Sequence, residues 1–287
     1  MFRFRRLIPL AAALPVTQTV LCDYRFQHGS AIIPHPKKCK RGSEDALFAK
    51  KHSLGIFDGV SSWMDDGIDA GIFAHNLCHF TSQQIKSKPL PAAVFAALMQ
   101  TSVPGSATVC VVDISKDDGI LNTFNLGESG FLLLRRTTRK SSNWRIFKYF
   151  QSQEEQNAEF HVFAKSTPMM HDDEDNCPFQ LGSLDAPTQD CIGDAQTQQI
   201  QTQAGDILIL ATDGLFDNLS ESEIVDFVAE FDMGSNIASQ KQLAWLLAYK
   251  ARQAYQKVDD ISVIVAKIVD SPGVQRGPIL PRQGLSH

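Results

Sequence analysis

Apolar residues fall along this chain in two rhythms, short unbroken runs and longer stretches at helical spacing. Ala46–Lys50 and Ser53–Phe57 flank Lys51-His52 and predict a β-hairpin whose second strand stops at Asp58-Gly59. Thr108–Ile114, Ile120–Leu126 and Phe131–Arg135 are three further runs. They are broken by Lys116–Gly119 and by Gly127-Glu128-Ser129-Gly130, and predict an antiparallel meander. Trp144–Phe150 and Phe160–Phe163 are candidate strands around a glutamine-rich loop, and Thr167–Gln180, with two prolines and the acids Asp172–Asp175, predicts a surface loop. Asp206–Ala211 and Ile261–Val269 read as buried strands.

Helical spacing appears in two pairs of segments. Ile72, Phe73, Leu77 and Phe80 mark a helix within Ile68–Ile85, followed by a shorter one over Pro91–Gln100. Ser220 with Glu223 three residues on forms a capping-box pattern opening a helix to about Phe231, and Leu243, Leu246, Leu247 and Tyr255 mark another over Ile237–Gln256. Strands come in clusters and helices in pairs, without βαβ alternation. The pattern predicts an α+β chain with antiparallel sheets.

Composition narrows the function. Of 287 residues 43% are apolar and 21% charged, enough apolar residues for a sizeable core. With 27 basic against 32 acidic residues and no basic stripe interleaved with aromatics, nucleic acid is not an expected partner. Cys22, Cys39, Cys78, Cys110, Cys177 and Cys191 form no CxxC pair and read as reduced thiols. Met1–Leu21 holds Arg3, Arg5 and Arg6, no acid, and an apolar run interrupted by Pro9 and Pro15. It predicts an import leader over residues 1–22, favouring mitochondria, with the secretory pathway or cytoplasm as alternatives, and no integral membrane segment. Residues 23–41, with Pro34-His35-Pro36 and Lys37–Arg41, read as a basic approach segment, and 271–287 as a disordered tail.

One local pattern recurs three times: an apolar strand meets an acid at its end. The instances are Phe57 into Asp58-Gly59, Ile207–Ala211 into Asp213-Gly214, and Asp259-Asp260 into Ile261–Val265, with Glu44-Asp45 before the first hairpin. Hard divalent cations need several oxygen ligands in fixed geometry, and strand ends supply carboxylates on rigid supports. A single Asp-Gly after a strand is most often a turn. Three in one chain point to metal. His75 and His79 stand i, i+4 on one predicted helix, but with no HExxH glutamate they read as surface residues.

The segments Gly42–Ala46, Phe57–Trp63, Gly105–Thr108, Leu126–Gly130, Ala211–Asn218 and Asp259–Val263 stand in an order and spacing that resemble the metal-dependent serine/threonine protein phosphatases of type 2C, in particular their compact, Ptc-seven-like, often mitochondrial branch. The resemblance implies a phosphatase domain over residues 42–270, built as a central β-sandwich of two antiparallel sheets flanked by helix pairs. It implies two manganese or magnesium ions, with Asp58 bridging them, the Gly59 carbonyl on one, and Asp213 and Asp259 on the other. Asp58, Asp213 and Asp259 are thereby the catalytic set, and Glu44, Asp45, Asp217 and Asp260 lie just outside it. The implied activity is hydrolysis of phosphoserine and phosphothreonine esters in phosphoprotein substrates, by a water that two metals activate, in a monomer.

Three positions depart from the family pattern. Glu128 replaces an aspartate associated with a third ion. Val60 replaces a histidine proposed as general acid. Lys40, followed by Arg41, replaces a phosphate-binding arginine and lacks its bidentate fork. An alternative reading is a weak or inactive relative that binds phosphoproteins without turnover; the intact Asp58, Gly59, Asp213 and Asp259 argue against it.

Overall fold

The protein is described by a computed structural model covering residues 23–137, 159–172, 177–183, 186, 190–231 and 237–271. Two antiparallel sheets stack face to face. One runs in the order β1 (Arg25–Ile33), β11 (Ile261–Val269), β10 (Ile207–Ala211), β6 (Gly130–Thr137) and β7 (Glu159–Lys165). The other runs β2 (Asp45–Ala49), β3 (Ser53–Gly59), β4 (Ser106–Ile114), β5 (Ile120–Leu126) and β9 (Gln196–Gln201), with the short β8 (Leu181–Gly182) on β4. Helices α1 (Ala70–Gln84) and α2 (Leu90–Leu98) cover the second sheet. The short α3 (Asp213–Phe216), α4 (Glu221–Glu230) and α5 (Ile237–Ala254) cover the first. The expected α+β sandwich with helix pairs is what forms.

This layering explains the unbroken apolar strands. A strand between a partner sheet and a helix layer is buried on both faces, so alternation gives way to a continuous run. In β10, Leu208 and Leu210 face the inter-sheet core with Ile56, Val112, Leu133 and Ile264, while Ile207, Ile209 and Ala211 pack among Ile224, Leu243 and Leu247 of α4 and α5. The capping box opens α4 as expected: Glu223 N donates to Ser220 Oγ at 3.3 Å, and Ser220 N to Glu223 Oε2 at 2.9 Å.

Several expectations need correction. The β4–β5–β6 meander does not form: β4 pairs with β5, but β6 lies in the opposite sheet against β10. The link Gly127–Ser129 crosses between the sheets, turning through Gly127 at φ +100°, where an added Cβ would lie 2.5 Å from the Phe179 carbonyl oxygen. Residues 25–33, expected to belong to an approach segment, are a strand paired along its whole length with β11. That strand and β9 are edge strands whose polar residues hid them from the apolar pattern. The expected strand Trp144–Phe150, the leader, most of the tail and Asp173–Asp175 lie outside the described residues. Among the described residues no helix is long and apolar enough to cross a membrane. Cys39, Cys78, Cys110 and Cys191 are free thiols.

Candidate metal centre

Antiparallel order brings the acids together. β2 starts at Asp45 and β3 ends at Gly59, with Asp45 directly opposite Asp58 and Asp58 opposite Thr108 of β4. In the other sheet β10 ends at Ala211 opposite Val263 of β11, so Thr212-Asp213 leaves one strand where Asp259-Asp260 enters the next. The Gly127–Ser129 link crosses at the same rim. One end of the sandwich therefore carries Glu44, Asp45, Asp58, Glu128, Asp213, Asp217, Asp259 and Asp260.

Hydrogen bonds from several elements hold the rim together. Thr212, fully buried, donates from Oγ1 to Asp45 Oδ2 at 3.2 Å and accepts from Ser262 N at 3.1 Å, which stitches the two sheets together beside the acids. Asp260 is buried and accepts from His35 N at 2.6 Å, Glu44 N at 3.1 Å and Lys38 Nζ at 3.1 Å. Lys38 Nζ also donates to Glu44 Oε2 at 2.5 Å, and Arg41 Nη2 to Glu44 Oε1 at 2.5 Å. Gly214 is required by contact: a Cβ there would stand 2.0 Å from the Asp260 carbonyl oxygen. Asn218 Nδ2 donates to the Gly214 and Lys257 carbonyls at 2.9 and 2.8 Å, and its Oδ1 accepts from Gln256 N and Lys257 N, both at 3.0 Å.

Burial, with neighbouring charge, raises Asp45, Asp58, Glu128 and Asp259. Burial raises Asp58, and the charges of Asp45, Asp213 and Asp259 raise it further. Asp45 is raised by burial and by Asp260, and Asp259 by burial and by Asp213. Glu128 is pushed up to about 7 by burial and then by Asp213, with Lys257 pulling the other way. Burial opposes the charge of Lys38, but hydrogen bonds and charge pairing with Glu44 and Asp260 outweigh it and draw the ammonium up to about 12. Lys257 shifts upward in the same way, against burial and toward Asp213 and Asp217.

Such a cluster is unfavourable without positive charge to offset it. Among the described residues no three His, Cys, Asp or Glu side chains already stand at metal-ligand spacing; several acids pair with lysines instead. The donor chemistry nevertheless fits a hard cation. It is all oxygen, and the buried Asp45 Oδ1 and Asp213 Oδ1 have no hydrogen-bond partner.

The expected residues Asp58, Gly59, Asp213 and Asp259 converge on this rim, with Glu44, Asp45, Asp217, Asp260 and Glu128 beside them. Arg41 reaches the rim through Glu44 and lies 3.8 Å from Asp69 Oδ2. Lys40 is exposed, and the lysine that enters the carboxylate network from this loop is Lys38. His75 and His79 are exposed on α1. Sequence reasoning missed Lys38, Thr212, Asn218 and Lys257. Thr212 and Asn218 lie inside the Ala211–Asn218 segment, but no spacing rule marks side chains whose distant partners stand 38 to 167 residues away.

Known proteins resemble this chain in sequence and in fold. A family model described as "Stage II sporulation protein E (SpoIIE)" matches residues 152–269. The "Protein phosphatase PTC7 homolog fig" of Drosophila mojavensis is 30% identical over 270 residues, covering 79% of this chain and 78% of that protein. The "Probable protein phosphatase 2C 80" of Arabidopsis thaliana is 32% identical over 75% of this chain and 47% of its own length. The chain spans about half the length of such plant relatives. Among solved structures, the photosystem II phosphatase PBCP superposes with a TM-score of 0.68 at 25% identity, covering 84% of this chain and 98% of that one. The catalytic domain of the serine threonine protein phosphatase PstP, in complex with 2 manganese ions, shares the fold at 16% identity, with a TM-score of 0.60 over 86% of this chain and 100% of its own. Sequence likeness over most of a relative's length, with the same fold in solved structures, places this chain in the protein phosphatase 2C family.

Proposed function

We propose that this chain hydrolyses phosphate esters of serine and threonine side chains in proteins, at the carboxylate rim. The observation that carries the reading is the convergence of Asp58 from one sheet with Asp213 and Asp259 from the other, beside buried oxygens of Asp45 and Asp213 that lack hydrogen-bond partners. Asp58, the Gly59 carbonyl, Asp213 and Asp259 would hold two manganese or magnesium ions, a reading supported by the 2 manganese ions found with the PstP catalytic domain. Bound there, the ions supply an activated water and positive charge for a phosphoryl group under in-line attack.

The chain's own residues do the positioning. Thr212, from the opposite sheet, holds Asp45, the β2 residue paired with Asp58, and Asp260 ties the Glu44 backbone to β11. Asn218 holds the loop that leads into Asp259. Val60, directly after Gly59, carries no transferable proton and supplies no general acid. Glu128 lies close enough to feel Asp213 and Asp259, the position from which it would serve a further ion.

The test is manganese-dependent hydrolysis of an aryl phosphate and of a phosphoserine peptide by wild type, Asp58→Asn and Asp213→Asn. Loss of turnover in both variants with retained melting behaviour is expected; unchanged turnover in either sinks the assignment. Wild type that binds manganese but turns over neither substrate would instead favour a phosphoprotein-binding role.

A further inference from the structure

Lys257 precedes the Asp259-Asp260 pair on the loop between α5 and β11. Its Nζ donates to Asp213 Oδ2 and, at 2.9 Å, to Asp217 Oδ2, and lies 3.8 Å from Asp259 Oδ2. One ammonium group thus faces three acids, two of which are expected ion ligands. The placement is built into the backbone. α5 ends at Ala254, and Tyr255 turns the chain at φ 58°, a left-handed conformation uncommon for a residue with a side chain. Directly after that turn, Gln256 N and Lys257 N donate to Asn218 Oδ1, and the Lys257 carbonyl accepts from Asn218 Nδ2. Asn218 itself follows the Asp213 turn, so the same side chain fixes both the acids and the lysine that meets them.

The two lysines at the rim are not equivalent. Lys38 has only 16% of its side chain exposed and is wedged between Glu44 and Asp260, whereas 41% of the Lys257 side chain is open to solvent. Four methylenes on a clamped backbone let the Lys257 ammonium swing outward while its Cα stays in place. It also occupies Asp213 Oδ2 and leaves the buried Oδ1 of that carboxylate without a partner.

We propose that Lys257 is a tethered counter-cation of the carboxylate centre. It neutralises Asp213, Asp217 and Asp259 in the metal-free protein, competes with a divalent ion for them, and so sets the affinity for that ion. The inference rests on the reading of the rim as a divalent-ion centre. On loading, the ammonium leaves Asp213 for solvent.

Two measurements on the full chain test it. In calorimetric titration of manganese into EDTA-stripped protein, Lys257→Gln is expected to bind about five-fold tighter than wild type, the scale set by losing a half-exposed ion pair. Its melting temperature is expected to fall in EDTA and to match wild type in manganese. Affinity equal to or weaker than wild type overturns the proposal. In the wild-type protein, which needs no variant to fold, mass spectrometry follows labelling of Lys257 by an amine-acylating reagent. Labelling is expected to rise several-fold when manganese replaces EDTA, and labelling that stays level or drops overturns the proposal. Absence of manganese binding to wild type would overturn the metal reading itself, and this inference with it, whereas binding with unchanged lysine behaviour overturns this inference alone.

Discussion

Replacing Thr212 by valine removes one hydroxyl from the junction of the two sheets and keeps the side chain's shape, so no cavity opens. That hydroxyl serves two buried partners, Asp45 Oδ2 at 3.2 Å and Ser262 N at 3.1 Å, and Asp45 Oδ1 already lacks a partner. A buried polar group stripped of its partner costs about 1–3 kcal/mol. Both bonds are on the long side, so the two together amount to roughly 2–4 kcal/mol. For a domain of this size each kcal/mol moves the melting temperature by about 2–4 °C, so a drop of about 4–16 °C is expected. The assay is thermal unfolding in EDTA, which keeps metal out of the comparison, with Thr212→Ser as the control that restores the hydroxyl. Coupling to Asp45 follows from a double-mutant cycle with Asp45→Asn, expected to show an interaction above about 1 kcal/mol. Thr212→Val melting within about 2 °C of wild type would refute the claim that this hydroxyl fastens the sheets at the rim.

Gly214→Ala drives a Cβ into the backbone carbonyl of Asp260, which no side-chain rotation can relieve; destabilisation of about 1–3 kcal/mol is expected, with weaker manganese binding, and normal values for both would show the contact to be soft. The metal-free protein is expected to lose stability as pH rises from about 6.5 to 8. Burial and neighbouring acids raise Asp45, Asp58, Asp259 and Glu128, the last to about 7, so the folded state holds protons that the unfolded chain has already released. A raised carboxylate stabilises below its unfolded pKa, and that contribution disappears as pH climbs through the folded value. His28 and His52, both lowered chiefly by burial, oppose this slope at the lower edge of the window, where the unfolded chain still sheds their protons; the raised carboxylates set the net sign. Melting temperatures read in EDTA at several pH values test the sign, and a flat or rising profile contradicts it. Manganese is expected to flatten the slope, because ligand carboxylates are then deprotonated at every pH in the window.

The sequence alone determined most elements and the acids that meet at one rim. β3, β4, β10 and β11 announced themselves because strands buried on both faces are continuously apolar, and α4 because its capping box is local chemistry. Asp58, Asp213 and Asp259 were legible because each adjoins such a strand. Tertiary structure decided what depends on partners far along the chain. The β5–β6 link looked like a hairpin turn, since local residues do not say in which sheet the next strand will lie. Strands β1 and β9 stayed hidden because an edge strand is held by backbone pairing and needs few apolar side chains. Lys38 and Lys257 carry no sequence signature, and the Ala211–Asn218 segment does not show what Thr212 and Asn218 hold. A lysine or a threonine acquires its role only when the fold sets it beside an acid from another strand, where burial makes one hydrogen bond or one charge count.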